Sequence, residues 1–213
     1  MLFRSYEIAH SEITGIVIAS VVPPLTGMLV AMVRDYFDRV PLLFEPAVNA
    51  GIPILIDNPA EVGADRIVNS IAAHATYGSG RPIIVIDFGT ATTFDAVSAK
   101  GEYLGGVICP GPQVSADALV QRTAKLPRID VRKPAHVIGT NTIAAMQSGL
   151  FWGYVDMVEG LVRRMIAELG GSAVVVATGG LASVVAPESP LIAHVDPELT
   201  LRGLRLVWER DRR

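Results

Sequence analysis

Hydrophobic positions along this chain follow two patterns: short β-branched runs, and longer stretches in which apolar residues recur every three or four positions. The run over 15–22 is of the kind that lies inside a largely parallel sheet, buried on both faces. Pro23-Pro24 ends it and opens a helix in which Leu25, Met28, Leu29, Met32, Val33 and Phe37 share helical spacing. Residues 41–44 and 53–56 read as short strands. Asp57-Asn58-Pro59 reads as a turn into a helix over 59–77, with Val62, Ile67 and Ile71 on its apolar face.

After Gly78-Ser79-Gly80-Arg81-Pro82 the pattern predicts three consecutive strands, 83–87, 92–98 and 103–109. Their connections, Gly89-Thr90-Ala91 and Ala99-Lys100-Gly101-Glu102, are short enough for antiparallel hairpins. Helices over 113–125 and 141–169, a strand over 173–177 running into Thr178-Gly179-Gly180, and a helix over 199–209 complete the pattern. A meander followed by alternating helix and strand predicts an α/β fold with helices covering both faces of a sheet.

Composition narrows the function classes. At 213 residues, half of them hydrophobic and 18% charged, the chain is long and apolar enough to bury a core. A net charge of -3 offers no basic stripe, so no nucleic-acid partner is expected. The apolar run 16–22 is too short to span a bilayer, no signal peptide is visible, and no membrane role is expected. Cys109 stands alone, which excludes an internal disulfide and points to a reducing, cytoplasmic setting. The histidines are scattered without ligand spacing, Cys109 reads as a small core residue, and Trp152 and Tyr154 as core or subunit contacts.

Candidate chemistry sits in four places. In Ile84-Val85-Ile86-Asp87-Phe88-Gly89-Thr90 an acidic residue ends a hydrophobic strand and Gly-Thr follows. Backbone N–H groups and a hydroxyl can then approach phosphate oxygens while the carboxylate faces a cation. The plainer reading is an ordinary hairpin with turn-favouring residues. Gly63-Ala64-Asp65-Arg66 lies at a helix start, where a carboxylate shielded from water can take a proton from an attacking alcohol and the arginine can hold a substrate carboxylate. The plainer reading is helix electrostatics and a solvated arginine. Gly105-Gly106 with Pro110-Gly111-Pro112 flanks the third strand, and Thr178-Gly179-Gly180 follows a buried one. The first allows close backbone contact with prolines fixing the exit, the second sits where a nucleotide is naturally met, and either alone is also an ordinary loop.

In order and spacing these pieces resemble the type III pantothenate kinases, members of the actin-like superfamily that includes acetate and sugar kinases. The most specific stretch is Asp57-Asn58-Pro59-Ala60-Glu61-Val62-Gly63-Ala64-Asp65-Arg66-Ile67-Val68-Asn69, supported by the hairpin around Asp87, Gly105-Gly106-Val107-Ile108-Cys109-Pro110-Gly111, Leu126-Pro127 and Gly139-Thr140-Asn141-Thr142. The resemblance implies a ribonuclease H-like, actin-type fold of two similar subdomains with mixed sheets flanked by helices, here residues 1–58 and 59–213. It implies transfer of the ATP γ-phosphate to pantothenate, the first step of coenzyme A synthesis. Asp65 is then the general base, Gly63, Ala64, Asp65, Arg66 and Thr142 bind pantothenate, and Gly89, Thr90, Gly179 and Gly180 bind ATP. Asp87 holds a monovalent cation, potassium or ammonium, Mg²⁺ accompanies ATP, and a homodimer places its sites near the subunit interface.

Two departures stand out. Ile56 occupies a position that is aromatic in many relatives. Family members also open on a strand carrying Asp-x-Gly-Asn-Thr, the first phosphate hairpin, and no such motif occurs in this sequence. The expectation is a first subdomain shortened at its amino end, with an inactive kinase fragment as one alternative. A transcriptional regulator like Bvg accessory factor, on the same fold, is a second. A kinase acting on acetate or a sugar would leave the 57–69 stretch unexplained.

Overall fold

The computed structural model describes residue 9 and residues 12–20, 22–123 and 125–212. Its larger sheet is built from β3 (Ile83–Phe88), β4 (Ala91–Val97), β5 (Tyr103–Pro110), β6 (Val174–Gly179) and β7 (His194–Val195), preceded in the chain by a small parallel pair, β1 (Val17–Ile18) and β2 (Leu42–Leu43). The order is β5-β4-β3-β6-β7, with an antiparallel meander on one side and parallel pairs on the other. That is the ribonuclease H-like order expected of an actin-type subdomain.

Helices cover both faces because the strands alternate. Ile84, Ile86, Phe88, Phe94, Val175 and Ala177 face α5 (Thr142–Glu168), meeting its Phe151, Val155, Val158 and Val162. Ile83, Val85, Val97, Val174 and Val176 face the other way, toward α3 (Ala64–Tyr77) and α7 (Leu199–Asp211). Each buried Ile, Val or Phe among these contributes roughly 1.5–3 kcal/mol. The same alternation sends Asp87 and Asp95 to the α3 face, which is how two carboxylates of the central strands meet residues near the start of a helix. No helix among the described residues is long and apolar enough to cross a membrane.

Several elements differ from the sequence pattern. Among the described residues the 15–22 run forms only the two-residue β1, with β2 as its one partner there, and the ladder closes with Leu42 N–H on Ile16 O and Phe44 N–H on Ile18 O. Val21 lies outside the described residues. Helix α1 (Pro23–Phe37) forms as spaced, yet Val33 is buried while Leu25, Met28 and Met32 are exposed.

The 53–56 strand is reduced to a single parallel bridge, Ile54 with Tyr103. The 59–77 helix is broken. A 3-10 turn, Pro59–Glu61, is capped by Asn58, and Val62 and Gly63 are extended before α3 begins. Helix α4 (Pro112–Gln121) ends before 125. Two short helices, α2 (Pro46–Asn49) and α6 (Ala182–Val185), and strand β7 have no signature in the pattern, being too short to show a period. Cys109 is partly buried on β5 beside the α5 core, where Tyr154 is buried and Trp152 packs at the edge.

Candidate active site

Gly63 is the N-cap of α3, in extended conformation, and Asp65 sits in the first helical turn, where the helix dipole favours a carboxylate. Oδ1 of Asp65 accepts the backbone N–H of Arg66 at 2.9 Å, and a Cβ on Gly63 would lie 2.5 Å from that same oxygen. Glycine is needed there so that the carboxylate can fold back. The side chain of Asp65 is exposed, so the shielding expected of a base is not supplied by this chain alone.

Asp87 is half-buried near the end of β3. Burial first, and then the nearby charge of Asp65, push its carboxyl above the ordinary carboxylate range, against a hydrogen bond from Asn69 Nδ2 at 3.1 Å. Asn69 is in turn fixed by Thr200 of α7, whose hydroxyl donates to its Oδ1 at 2.7 Å. Gly179, at the end of β6 with φ +90°, lies so close that a Cβ would come within 2.5 Å of Asp87 Oδ1.

The hairpin turn is exposed at Gly89 and Thr90 and closed by Gly89 N–H on Ala91 O at 3.1 Å. Gly111 N–H donates to Thr90 O at 2.9 Å, and a Cβ on Gly111 would meet that oxygen at 2.3 Å. The Pro-Gly-Pro loop therefore lies against the Gly89-Thr90 turn.

Arg66 crosses from α3 to β4. Its Nε donates to Asp95 Oδ1 at 2.7 Å and its Nη2 lies 2.6 Å from the same oxygen. Tyr103 and Thr93 hydroxyls donate to Asp95 at 2.8 and 3.3 Å. Burial raises the Asp95 carboxyl, opposed by Arg66 and these hydroxyls, and raises the Tyr103 phenol as well.

The fold thus places Asp87, Gly89, Thr90 and Gly179 at the carboxyl ends of the central strands β3 and β6, with Gly180 exposed just beyond, and Gly63, Ala64, Asp65 and Arg66 at the start of α3, whose Asn69 bonds Asp87. Thr142 stands apart. It is the first residue of α5, exposed, with no recorded bond to the others. Ile56 lies along β5, with its Cγ2 3.5 Å from where a Cβ at Gly105 would be.

Asn69, Asp95, Tyr103 and Thr200 had no functional reading in the sequence. The single charge inside β4, between Phe94 and Ala96, was a usable signal for Asp95, but nothing local marks Thr200. A cavity of about 510 Å³ opens beside the site, lined by Ser20, Phe44 and Glu45 on one side and Glu61, Gly63 and Ala64 on the other. A larger one, about 550 Å³, lies by Trp208 and Arg39 and touches none of the site residues.

The half-buried Asp87 carboxylate, raised by burial and by the charge of Asp65, suits a bound cation, but among the described residues no group of three His, Cys, Asp or Glu could hold a metal by itself. A cation here would need further oxygens from a bound phosphate and water, as Mg²⁺ takes in phosphate sites.

Residues 1–164 match the family described as type III pantothenate kinase. A type III pantothenate kinase of Koribacter versatilis is 54% identical over 210 residues, covering 99% of this chain and 76% of the relative. The chain belongs to the type III pantothenate kinase family. Another such kinase, from Moorella thermoacetica, is 55% identical over 200 residues, covering 94% of this chain and 78% of the relative. A solved structure from Campylobacter jejuni, described as a conserved Baf family transcriptional activator, aligns with TM-score 0.61 at 19% identity, covering 99% of this chain and 88% of that one. At that identity the likeness bears on the fold of this pantothenate kinase family member and not on regulation.

Proposed function

We propose that this chain transfers the γ-phosphate of ATP to the primary hydroxyl of pantothenate, giving 4'-phosphopantothenate for coenzyme A synthesis. The observation that carries this is that α3 holds Asp65 one turn before Asn69, which bonds Asp87 at the carboxyl end of β3, beside the exposed Gly89-Thr90 turn. Phosphoryl transfer depends on position and charge more than on covalent chemistry by the protein. Asp65 takes the proton of the attacking hydroxyl. Arg66 holds the substrate carboxylate, the Gly89-Thr90 turn with Gly179 and Gly180 cradles the ATP phosphates, and Asp87 with substrate oxygens holds the cation. That cation, with Mg²⁺, supplies neutralisation of phosphate charge. Pantothenate occupies the cleft between the 1–58 and 59–213 subdomains, where the cavity beside Gly63 draws its walls from both sides.

The exposed Asp65, and a Thr142 that starts the helix on the opposite face of the sheet, are consistent with a homodimer in which a second copy covers the site and brings its α5 start to it. Exposed Ile108, Val114, Ile138 and Ile143 near α4 and α5 offer an apolar surface for such a contact.

Purified protein should consume ATP only with pantothenate and K⁺ both present, and Asp65→Asn should lower kcat by about 10²–10⁴-fold with folding unchanged. ATP consumption indifferent to pantothenate would sink the proposal. Pantothenate binding without turnover marks the inactive alternative, and a regulatory phenotype that survives Asp65→Asn marks the regulator.

A further inference from the structure

We propose that Asp95 is a positioning residue that sets selectivity for a carboxylate-bearing substrate by fixing the guanidinium of Arg66. The inference rests on reading Arg66 as the carboxylate anchor of a pantothenate site. Asp95 is fully buried in the interior of β4, paired with Val85 on β3 and Gly106 on β5. A charge there is costly unless its partners satisfy it, and an apolar residue would serve a purely structural role as well or better.

Its oxygens instead collect Nε and Nη2 of Arg66 and the hydroxyls of Tyr103 and Thr93. The Tyr103 ring lies 5.8 Å from the guanidinium carbon. Gly106 makes room for the fork, since a Cβ there would come within 2.9 Å of Nη2. One edge of the guanidinium is therefore committed to the protein. Nη1 has no acceptor among the described residues and is not one of the buried unpartnered atoms, so on a side chain only 16% exposed this edge stays open to a ligand. An arginine already held in place loses little freedom when it binds a carboxylate in bidentate fashion.

Removing the Asp95 charge has two opposed effects. It leaves Arg66 more electropositive, which favours an anionic ligand, and it frees the fork to turn toward Asp65, next to it in the chain. The second wins, because a neighbouring fixed carboxylate competes at high effective concentration with a dissolved one.

The test is calorimetric binding of pantothenate and of its neutral alcohol analogue, pantothenol, to wild type and Asp95→Asn, a near-isosteric change checked by thermal unfolding. Pantothenate affinity should fall about tenfold while pantothenol changes less than about twofold. In an Arg66→Met background Asp95→Asn should no longer alter the ratio. If Asp95→Asn does not fold, Tyr103→Phe, which removes one donor from Asp95, should give a smaller loss in the same direction. An equal loss for both ligands, or none for either, overturns the inference while leaving the function standing. Wild-type protein that binds neither ligand overturns both.

Discussion

The side-chain amide of Asn69 donates to Oδ2 of Asp87 at 3.1 Å, and the opposite end of that amide accepts from Thr200 at 2.7 Å. Helix α7, more than a hundred residues further along the chain, thereby decides which end of Asn69 faces the carboxylate. Asn69 is 1% exposed, so an unsatisfied Oδ1 has no water to turn to.

Thr200→Val keeps the shape and removes the hydroxyl. It should cost about 1–3 kcal/mol in urea unfolding, the penalty of an unsatisfied buried acceptor. Thr200→Ser should stay close to wild type. If Val proves as stable as Ser, the amide is oriented by something else.

Gly179→Ala meets two obstacles at once. A φ of +90° is strained for any L side chain, and the new Cβ would lie 2.5 Å from Asp87 Oδ1 and 2.7 Å from both N and O of Phe88. Two of those contacts are backbone, which cannot swing aside. The expected result is a loss of roughly 2 kcal/mol or more of stability together with loss of ATP-dependent turnover. Wild-type melting and kinetics would show that the β6 end has slack.

Asp87 also makes stability depend on pH in a direction set by its raised pKa, caused chiefly by burial and then by Asp65. Between the unfolded and folded pKa the native state binds more protons than the unfolded one, so its stability falls as pH rises through that window. Asp87→Asn should remove this slope. In buffer free of K⁺ and divalent cations, the variant's stability relative to wild type should increase from mildly acid to neutral pH. The pH-dependent part should vanish below about pH 4. A constant difference across the range would mean that the site carries no strain from its carboxylates.

The hairpin around Asp87 is legible in the sequence because an apolar strand, a carboxylate and a Gly-Thr turn are contiguous, and local sequence decides a two-strand hairpin. Gly63-Ala64-Asp65-Arg66 is legible for a similar reason, since a glycine cap and an acidic first turn are helix-start chemistry. The partners of these residues are not. Arg66 with Asp95 and Asn69 with Thr200 are tied across 29 and 131 positions, and only the sheet register and the seating of α7 bring them together. The break at Val62-Gly63 was hidden as well, because the apolar spacing of Val62, Ile67 and Ile71 runs on across two extended residues that bury Val62 all the same.

Gly203 tests whether that long-range tie depends on how closely the two helices approach. Alanine is favoured over glycine within a helix by about 1 kcal/mol, which on propensity alone would stabilise α7. Against this, a Cβ at 203 would lie 2.2 Å from the backbone oxygen of Val68 on α3, and Val68 is fully buried. A backbone clash of that depth forces the helices apart, at a typical overpacking cost of roughly 1–3 kcal/mol or more, so the net effect of Gly203→Ala should be destabilising. Thr200 sits one turn earlier on the same helix, so moving α7 outward should also lift its hydroxyl from Asn69. Gly203→Ala and Thr200→Val should then be less than additive in urea unfolding, because both break one hydrogen bond. Full additivity would mean that α7 absorbs the added methyl without moving Thr200.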